Sequence, residues 1–232
     1  MFEISDAMGG YKKTVIIRGA SLFVGDKEIV ALLGRNGAGK TTLMKYAMGM
    51  IRSFGGEVYM DGSELPASPA RRAKAGMGYV PQGKFLFPRL TVTENIVAAA
   101  VACGHNKSKT IDRIFSDFPI LAERPNQLAE SLSGGQQQIL AIGRALATKP
   151  RVLLLDEPTE GVQPSIVDEI SDILIRLNNQ QGLAIFVAEQ NLDFCFSIAD
   201  RAYVMDQGTI KHTTSKEELL NNKELLNELL GV

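Results

Sequence analysis

A glycine-rich stretch, GRNGAGKTT, occupies residues 34–42 and is well suited to binding an anion. It fits the spacing G-x-x-x-x-G-K-[ST], in which glycines let backbone N–H groups surround a phosphate. The helix expected to begin near Lys40 adds roughly half a positive charge at its N-terminus. Lys40 is expected to reach the β- and γ-phosphates of a nucleotide, and Thr41 to offer its hydroxyl to Mg²⁺. The predicted phosphate-binding residues are Gly34, Arg35, Asn36, Gly37, Ala38, Gly39, Lys40, Thr41 and Thr42.

Two carboxylates follow a second apolar run, RVLLLDEP (151–158). Because the run predicts a buried strand, Asp156 and Glu157 should lie at its carboxyl end. Asp156 is expected to hold Mg²⁺ directly or through water, since Mg²⁺ prefers few carboxylates and several waters. Glu157 is then available to orient and polarise an attacking water. The alternative is a pair of solvated loop residues, and the phosphate-binding loop favours the catalytic interpretation.

Short apolar runs alternate with helical patterns along the chain, which is typical of a mostly parallel sheet in an α/β fold. The clearest strands are predicted at 28–34, 77–82, 151–158 and 183–190. Helices are predicted at 40–48, 93–102, 136–148, 165–177 and 192–199. Short strands and tight turns elsewhere in the first fifty or so residues and at 55–62 predict an antiparallel β flank.

Helical patterns replace strand patterns between about residues 83 and 135, which predicts an all-helical insertion in the sheet. We expect residues 1–232 to form a single domain that includes this insertion. The C-terminal stretch SKEELLNNKELLNELLGV (215–232) predicts a short amphipathic helical ending that packs or caps.

The composition argues against two classes of function. A formal net charge of −1 gives no reason to expect nucleic acid as a partner. The N-terminal MFEISDAMGGYKK does not fit a secretory signal, and the apolar run IVAAAVAC (96–103) is shorter than the roughly 20 residues that span a bilayer. We therefore expect any membrane role to come through a partner.

A second anion-binding feature is the pentapeptide LSGGQ (132–136), directly before a predicted helix. With it the chain resembles the ATP-binding cassette (ABC) ATPases, whose signature is this pentapeptide. The resemblance covers essentially the whole chain and implies a P-loop NTPase fold, ATP and Mg²⁺. It also implies that the signature contacts nucleotide through Ser133, Gly134, Gly135 and Gln136. A GTPase would need an N-K-x-D loop, and the sequence has none.

The resemblance implies roles for two further residues. Tyr11 is where the family places an aromatic ring that stacks on adenine, and a buried core tyrosine is the alternative. Gln82 matches the glutamine that contacts Mg²⁺ and the attacking water and faces the transmembrane partner, and a plain strand-end amide is the alternative. The segment GKFLFPRLTVTEN (83–95) suits a docking surface for another protein, although core packing explains Phe85 and Phe87 equally well.

Two positions depart from the commonest pattern of the family. Most members continue S-A-L-D after DEPT, whereas this chain has EGVQP (160–164). Most members also place a histidine after the last core strand, where this chain has Gln190. Glutamine can donate a neutral hydrogen bond but cannot carry the imidazole proton. We expect Gln190 to sense the γ-phosphate without acting as an acid or a base.

These departures look like the ATPase subunits of importers for branched-chain amino acids and their relatives. The motifs, above all DEPTEGVQPSI (156–166), look most like the urea and short-chain-amide members. The sequence-based prediction is therefore a motor subunit for uptake of urea or short-chain amides, with branched-chain amino acid uptake as the alternative. A soluble, non-transport ABC ATPase and a catalytically silent cassette fit the sequence less well.

The presence of two anion-binding loops in one chain is explained by the pairing that the resemblance implies. Two cassettes pair head to tail, so the phosphate loop of one and the signature of the other close on the same ATP. The implied partners are a second ATPase subunit, preferably a different one, two transmembrane permease subunits and a periplasmic or extracellular solute-binding protein. The implied location is peripheral, at the cytoplasmic face of the plasma membrane.

Overall fold

The computed structural model describes residues 1–221. The strands are β1 (Phe2–Tyr11), β2 (Thr14–Val24), β3 (Ile29–Leu33), β4 (Arg52–Met60), β5 (Ser63–Glu64), β6 (Met77–Val80), β7 (Val152–Asp156), β8 (Ala184–Glu189), β9 (Arg201–Asp206) and β10 (Thr209–Ser215). The α-helices are α1 (Lys40–Ala47), α2 (Pro69–Lys74), α3 (Val92–Ala102), α4 (Lys107–Asp117), α5 (Pro119–Ala122), α6 (Gly134–Leu146), α7 (Pro164–Gln181), α8 (Leu192–Ile198) and α9 (Lys216–Asn221).

A six-stranded, mostly parallel sheet has the order β10-β9-β3-β8-β7-β6. Only the β9–β10 hairpin is antiparallel in this sheet. Every residue of β3, β7 and β8 is buried, which explains their continuous apolar sequences. The carboxyl ends of β3, β7 and β8 lie side by side, so the loops that follow these strands meet at one edge of the sheet.

A four-stranded antiparallel sheet, in the order β2-β1-β4-β5, forms the predicted flank. Helix α1 packs between the two sheets, where Leu43 and Met44 are fully buried. Phe2 of β1 and Phe186 of β8 belong to the same apolar cluster, with their ring centroids 6.3 Å apart. This cluster therefore supports the start of α1, where the phosphate-binding loop ends.

The opposite face of the parallel sheet packs against helices. Between β6 and β7 the chain forms α3, α4, α5, a short 3-10 helix (Ala129–Ser131) and α6. Ile96 of α3, Ile114 of α4 and Phe118, between α4 and α5, are fully buried in one apolar cluster with Leu33 and Leu155 of the sheet. The helical insertion predicted from the sequence is thus present and shares its core with the sheet.

The predicted strands and helices are all present, with shifts at some ends. Helix α6 begins two residues before the predicted start, because Ser133 caps it. Helix α7 continues beyond residue 177 and ends at Gly182, whose φ of +67° is the left-handed conformation common at helix C-termini. The helical ending predicted at 215–232 is present in part, as α9. Residues 222–232 lie outside the described residues.

Two structural findings bear on partners. Within residues 1–221, no helix combines the length and the apolar character needed to cross a membrane. Phe85 is 72% exposed and Phe87 is 49% exposed, so core packing does not account for these two rings. The docking interpretation of segment 83–95 is the one that fits their exposure.

Candidate active site

The phosphate-binding loop lies between β3 and α1 and forms one wall of a cavity of about 420 Å³. Gly39 precedes the helix with a φ of +110°, and among the described residues no side chain caps α1. A side chain at Gly34 would place its Cβ 2.6 Å from the carbonyl oxygen of Met205, so only glycine fits there. The first N–H groups of α1 are therefore available to an anion, as the sequence predicts.

Lys40 is buried and forms an ion pair with Glu157, with 3.2 Å between Nζ and Oε1. Its ammonium group also donates to the carbonyl oxygen of Gly34 at 2.8 Å. Glu157 has a φ of +49°, a conformation that costs a residue with a side chain about 1–2 kcal/mol. Its backbone N–H donates to the carbonyl oxygen of Ala188 at 2.9 Å, which holds this turn against β8.

Asp156 ends β7 beside Thr41, whose hydroxyl donates to Oδ1 at 2.9 Å. On the other side, the hydroxyl of Tyr79 donates to Oδ2 at 3.1 Å. Burial raises the pKa of Asp156 above its usual range, and the two hydrogen bonds oppose that shift. Burial and the nearby Asp156 raise the pKa of Tyr79 as well, so this phenol stays protonated and a donor.

The donor set fits Mg²⁺. Thr41 and Asp156 offer a hydroxyl and a carboxylate within hydrogen-bond distance of each other, and both are the hard oxygen ligands that Mg²⁺ takes. Within the described part of the chain, no group of three or more His, Cys, Asp or Glu side chains forms a metal cage. Such a sparse set suits an ion that keeps several waters and binds phosphate oxygens.

Gln82 follows β6 and joins the carboxylates of two loop residues. Its Nε2 donates to Glu157 at 3.0 Å and to Glu160 at 2.9 Å. These bonds use the amide protons, so its oxygen is the atom that could ligate a metal. Gln82 also lines the phosphate cavity together with Thr41 and Glu157, and its contact with Mg²⁺ and the attacking water stays a prediction.

Tyr11 lines the same cavity from the end of β1 and is 45% exposed. The alternative of a buried core tyrosine is therefore wrong. An exposed ring beside a phosphate site can stack on a base, which is the role predicted for Tyr11.

The signature residues lie elsewhere. Ser133 Oγ accepts a hydrogen bond from Gln136 N at 3.3 Å, and Gln136 Oε1 accepts one from Ser133 N at 3.1 Å. This reciprocal cap starts α6 and leaves Ser133 and Gly134 exposed. Gly135 packs so closely that a Cβ there would lie 2.8 Å from Ile166. Of the described residues, those lining the phosphate cavity include none of the signature.

Gln190 lies directly after β8, and its side chain is exposed outside the cavity lining. The preceding residue, Glu189, is 1% exposed and hydrogen-bonds the loop that follows β7. The sequence-based reasoning did not single out Glu189, Thr159 or Tyr79. A charged residue inside an apolar run was the only local signal for Glu189.

A second, larger cavity of about 720 Å³ lies beside the phosphate cavity, and Thr41 and Gln82 line both. Its wall is largely apolar and includes Met50 and Phe85. Arg144 of α6 also lines it and donates to the carbonyl oxygen of Phe85 at 2.8 Å. The segment after Gln82 is thereby tied to the helix that the signature begins.

Comparison with known proteins places the chain among transport ATPases. Residues 17–160 match the family model described as ABC transporter. The branched-chain amino acid transport ATP-binding protein BraG of Pseudomonas aeruginosa is 38% identical, over 95% of this chain and 95% of the relative. The lipopolysaccharide export protein LptB of Haemophilus influenzae is 36% identical, over 95% and 93%. The probable branched-chain amino acid transport protein LivF of Archaeoglobus fulgidus is 34% identical, over 96% and 95%.

Solved structures agree on the fold. A nucleotide-free ATP-binding cassette from an ABC transporter superposes with a TM-score of 0.86 at 24% identity, over 96% of this chain and 94% of that chain. A bacterial ABC transporter cassette solved as a dimer gives 0.83 at 24% identity, over 93% and 99%. The chain therefore belongs to the ABC transporter family and is one of its ATP-binding, ATP-hydrolysing cassettes.

Proposed function

We propose that this chain is the motor subunit of an importer and that its solute is a branched-chain amino acid. The observation that carries the motor role is the pair of adjoining cavities, because Thr41 and Gln82 belong to both walls. Any movement of Thr41 or Gln82 at the phosphate cavity would therefore also move the wall of the larger cavity, the apolar groove. Similarity to BraG and LivF supports the solute, and urea, favoured by the motifs, gains no support from these relatives.

The chemistry follows from the side chains around the phosphate cavity. Lys40 would exchange its contact with Glu157 for the β- and γ-phosphates of ATP. Glu157 would then polarise the attacking water and accept its proton, while the water oxygen bonds to the γ-phosphorus, the bond from that phosphorus to the bridging oxygen breaks, and ADP leaves with that oxygen. Thr41, Asp156 and the oxygen of Gln82 would hold Mg²⁺, which when bound neutralises phosphate charge.

The signature supports pairing of two cassettes. Ser133 and Gly134 are exposed at the start of α6, whereas the phosphate loop faces a different cavity. We infer that this helix start contacts the ATP held by a second cassette, because helix N-termini favour phosphate. Gln190 would sense the γ-phosphate in the closed pair. The whole chain, 1–232, would act as one ATPase domain with a helical subdomain at about 83–135.

The apolar groove supports a membrane partner. Three exposed apolar side chains lie at or near the groove: Met50, Phe85 and Phe87. A contiguous patch of exposed apolar surface is typical of a protein–protein interaction site. We propose that a permease subunit docks there, with the cassette at the cytoplasmic face of the membrane. A solute-binding protein on the other side would deliver the solute, and the second cassette in the transporter would be a different chain. In the absence of that chain, two copies of this one would pair weakly, so the isolated chain would hydrolyse ATP at high concentration.

Uptake by cells that lack this chain tests the proposal. We expect loss of leucine and valine uptake and unchanged uptake of urea and acetamide. Wild-type chain should restore uptake, whereas Glu157→Gln should not. Selective loss of urea uptake would restore the urea interpretation. Unchanged uptake of all four solutes would contradict import and favour export, a second candidate that similarity to LptB supports.

A further inference from the structure

Glu189 is a buried acid at the end of β8, with 1% of its surface exposed. No described Lys or Arg side chain forms an ion pair with it. Instead its carboxylate accepts four hydrogen bonds. Thr159 donates from its backbone N at 2.9 Å and from its hydroxyl at 2.6 Å, both to Oε1. The backbone N–H groups of Gln190 and Asn191 donate to Oε2 at 2.9 and 3.2 Å.

These four donors come from two loops, the one that follows β7 and the one that follows β8. Thr159 lies two residues after Glu157, the proposed catalytic base. Gln190, the proposed γ-phosphate sensor, starts the turn after β8. One carboxylate therefore joins the turn that carries the base to the turn that carries the sensor. The two carboxylate oxygens accept hydrogen bonds, and all four partners donate, so acceptors and donors match at this site.

We propose that Glu189 is a positioning residue that holds Glu157 and Gln190 in register for hydrolysis. The inference rests on the proposed function and deepens it, because it gives Glu189 a role in hydrolysis without contact with ATP or the attacking water.

The side chain of Gln190 explains why it helps to fix the backbone of this turn. A glutamine side chain has more rotatable bonds than a histidine side chain, so the position of its amide group is less restricted. Fixing its backbone compensates in part. Glu189 holds the N–H groups of Gln190 and Asn191, and the side chain of Asn191 caps α8 by accepting from Phe194 N at 3.1 Å.

The turn after β7 is held in the same way. Glu157 has a left-handed backbone, and its N–H donates to Ala188 O of β8 at 2.9 Å. The bonds from Thr159 to Glu189 add a second attachment two residues later. Without them, the strained turn has fewer contacts that keep the Glu157 carboxylate beside the phosphate cavity.

Two substitutions test the positioning role of Glu189. Glu189→Gln keeps the shape but replaces one acceptor by an NH₂ group that faces N–H donors, and Thr159→Val removes only the hydroxyl. We expect kcat for ATP hydrolysis to fall roughly 10- to 100-fold in each, because a displacement of the base or the sensor by about 1 Å can cost roughly 10²-fold in rate. ATP affinity, measured by fluorescent-nucleotide titration, should stay within about threefold because the phosphate loop is untouched. Thr159→Ser keeps both donors and should restore kcat.

A control separates positioning from simple loss of stability. Asn178 is also buried, and it donates to Leu183 O at 2.9 Å away from the site. Asn178→Ala should lower Tm but leave kcat per folded molecule unchanged. In addition, Gln190→Ala should cost less in the Glu189→Gln background than in the wild type, since the sensor is already displaced.

Wild-type kcat per folded molecule in both Glu189→Gln and Thr159→Val would overturn the inference about Glu189 and leave the proposed function standing. Additive effects of Glu189→Gln and Gln190→Ala would also overturn it. Absence of ATP hydrolysis by the wild-type chain would contradict the proposed function and the inference together.

Discussion

Lys40 and Glu157 form a buried ion pair, with 3.2 Å between the ammonium nitrogen and the nearer carboxylate oxygen. Each charge is costly to bury without a partner, so the pair holds both side chains at the phosphate cavity. In the proposed mechanism, the γ-phosphate of ATP would compete with Glu157 for the same ammonium. Binding of nucleotide would thus free the Glu157 carboxylate to polarise water. Glu157 would then be available as a base only when ATP is bound.

Glu157→Gln should separate binding from hydrolysis. The amide cannot accept a proton, so turnover should fall by roughly 10²–10⁴. ATP affinity should be kept or increased, because a negative charge beside the phosphates is removed. Phosphate release and nucleotide titration measure the two effects, and hydrolysis at the wild-type rate would exclude Glu157 as the base.

Gly134→Tyr should abolish hydrolysis while leaving nucleotide binding by the single chain intact. Gly134 is exposed, and a Cβ there would make only ordinary contacts, 3.5 Å from Lys84 Nζ and 3.9 Å from the carbonyl oxygen of Gly161. It is a cleaner target than Gly135, where any side chain collides with Ile166. The matched control is Ser116→Tyr, on the exposed surface of α4, which should hydrolyse ATP normally. If binding is lost with hydrolysis, the signature is not a separate half of the site.

Tyr11→Ala should weaken ATP binding, and Tyr11→Phe should not. Loss of a ring that stacks on a base costs about 1–3 kcal/mol, which is roughly 5- to 150-fold in Kd. Titration with ATP and with inorganic triphosphate distinguishes the cause, because only ATP carries the base. Lys13→Ala, in the same hairpin, is the control. Equal affinity of Tyr11→Ala and wild type for ATP would remove Tyr11 from the base site.

Phe85→Ser should uncouple the cassette from its membrane partner. The ring is 72% exposed beside the apolar groove, so its loss should not alter the fold or the basal hydrolysis by the isolated chain. Copurification with the permease and solute uptake should both decrease. Leu128→Ser removes another exposed apolar side chain, one outside the groove, and should have no such effect. Normal uptake with Phe85→Ser would argue against this docking surface.

Local patterns were enough to predict the parts of the site that one segment forms. The phosphate loop between β3 and α1, and Asp156 and Glu157 at the end of β7, depend on an apolar run followed by turn or acidic residues. Contacts between distant segments could not be predicted in this way. Glu189 is explained only when Thr159, thirty residues earlier, supplies donors to it. Tyr79 reaches Asp156 only because β6 and β7 pair in parallel.

The solute was the least predictable feature from the sequence. The motif at 156–166 favours urea and short-chain amides, whereas similarity to BraG and LivF favours branched-chain amino acids. None of the phosphate-site residues would touch the transported molecule. The side chains of this chain therefore bear on ATP binding and on docking, and we propose that other subunits select the solute.

Mixing two inactive variants tests the central claim, that each ATP site is shared between chains. Lys40→Ala lacks a working phosphate loop, and Gly134→Tyr lacks a working signature. A mixed pair would contain one intact site, built from the phosphate loop of one chain and the signature of the other. At concentrations where wild-type turnover per chain has reached its plateau, we predict that mixing restores ATP hydrolysis that neither variant shows alone. Mixtures as inactive as the separate variants would contradict the shared site.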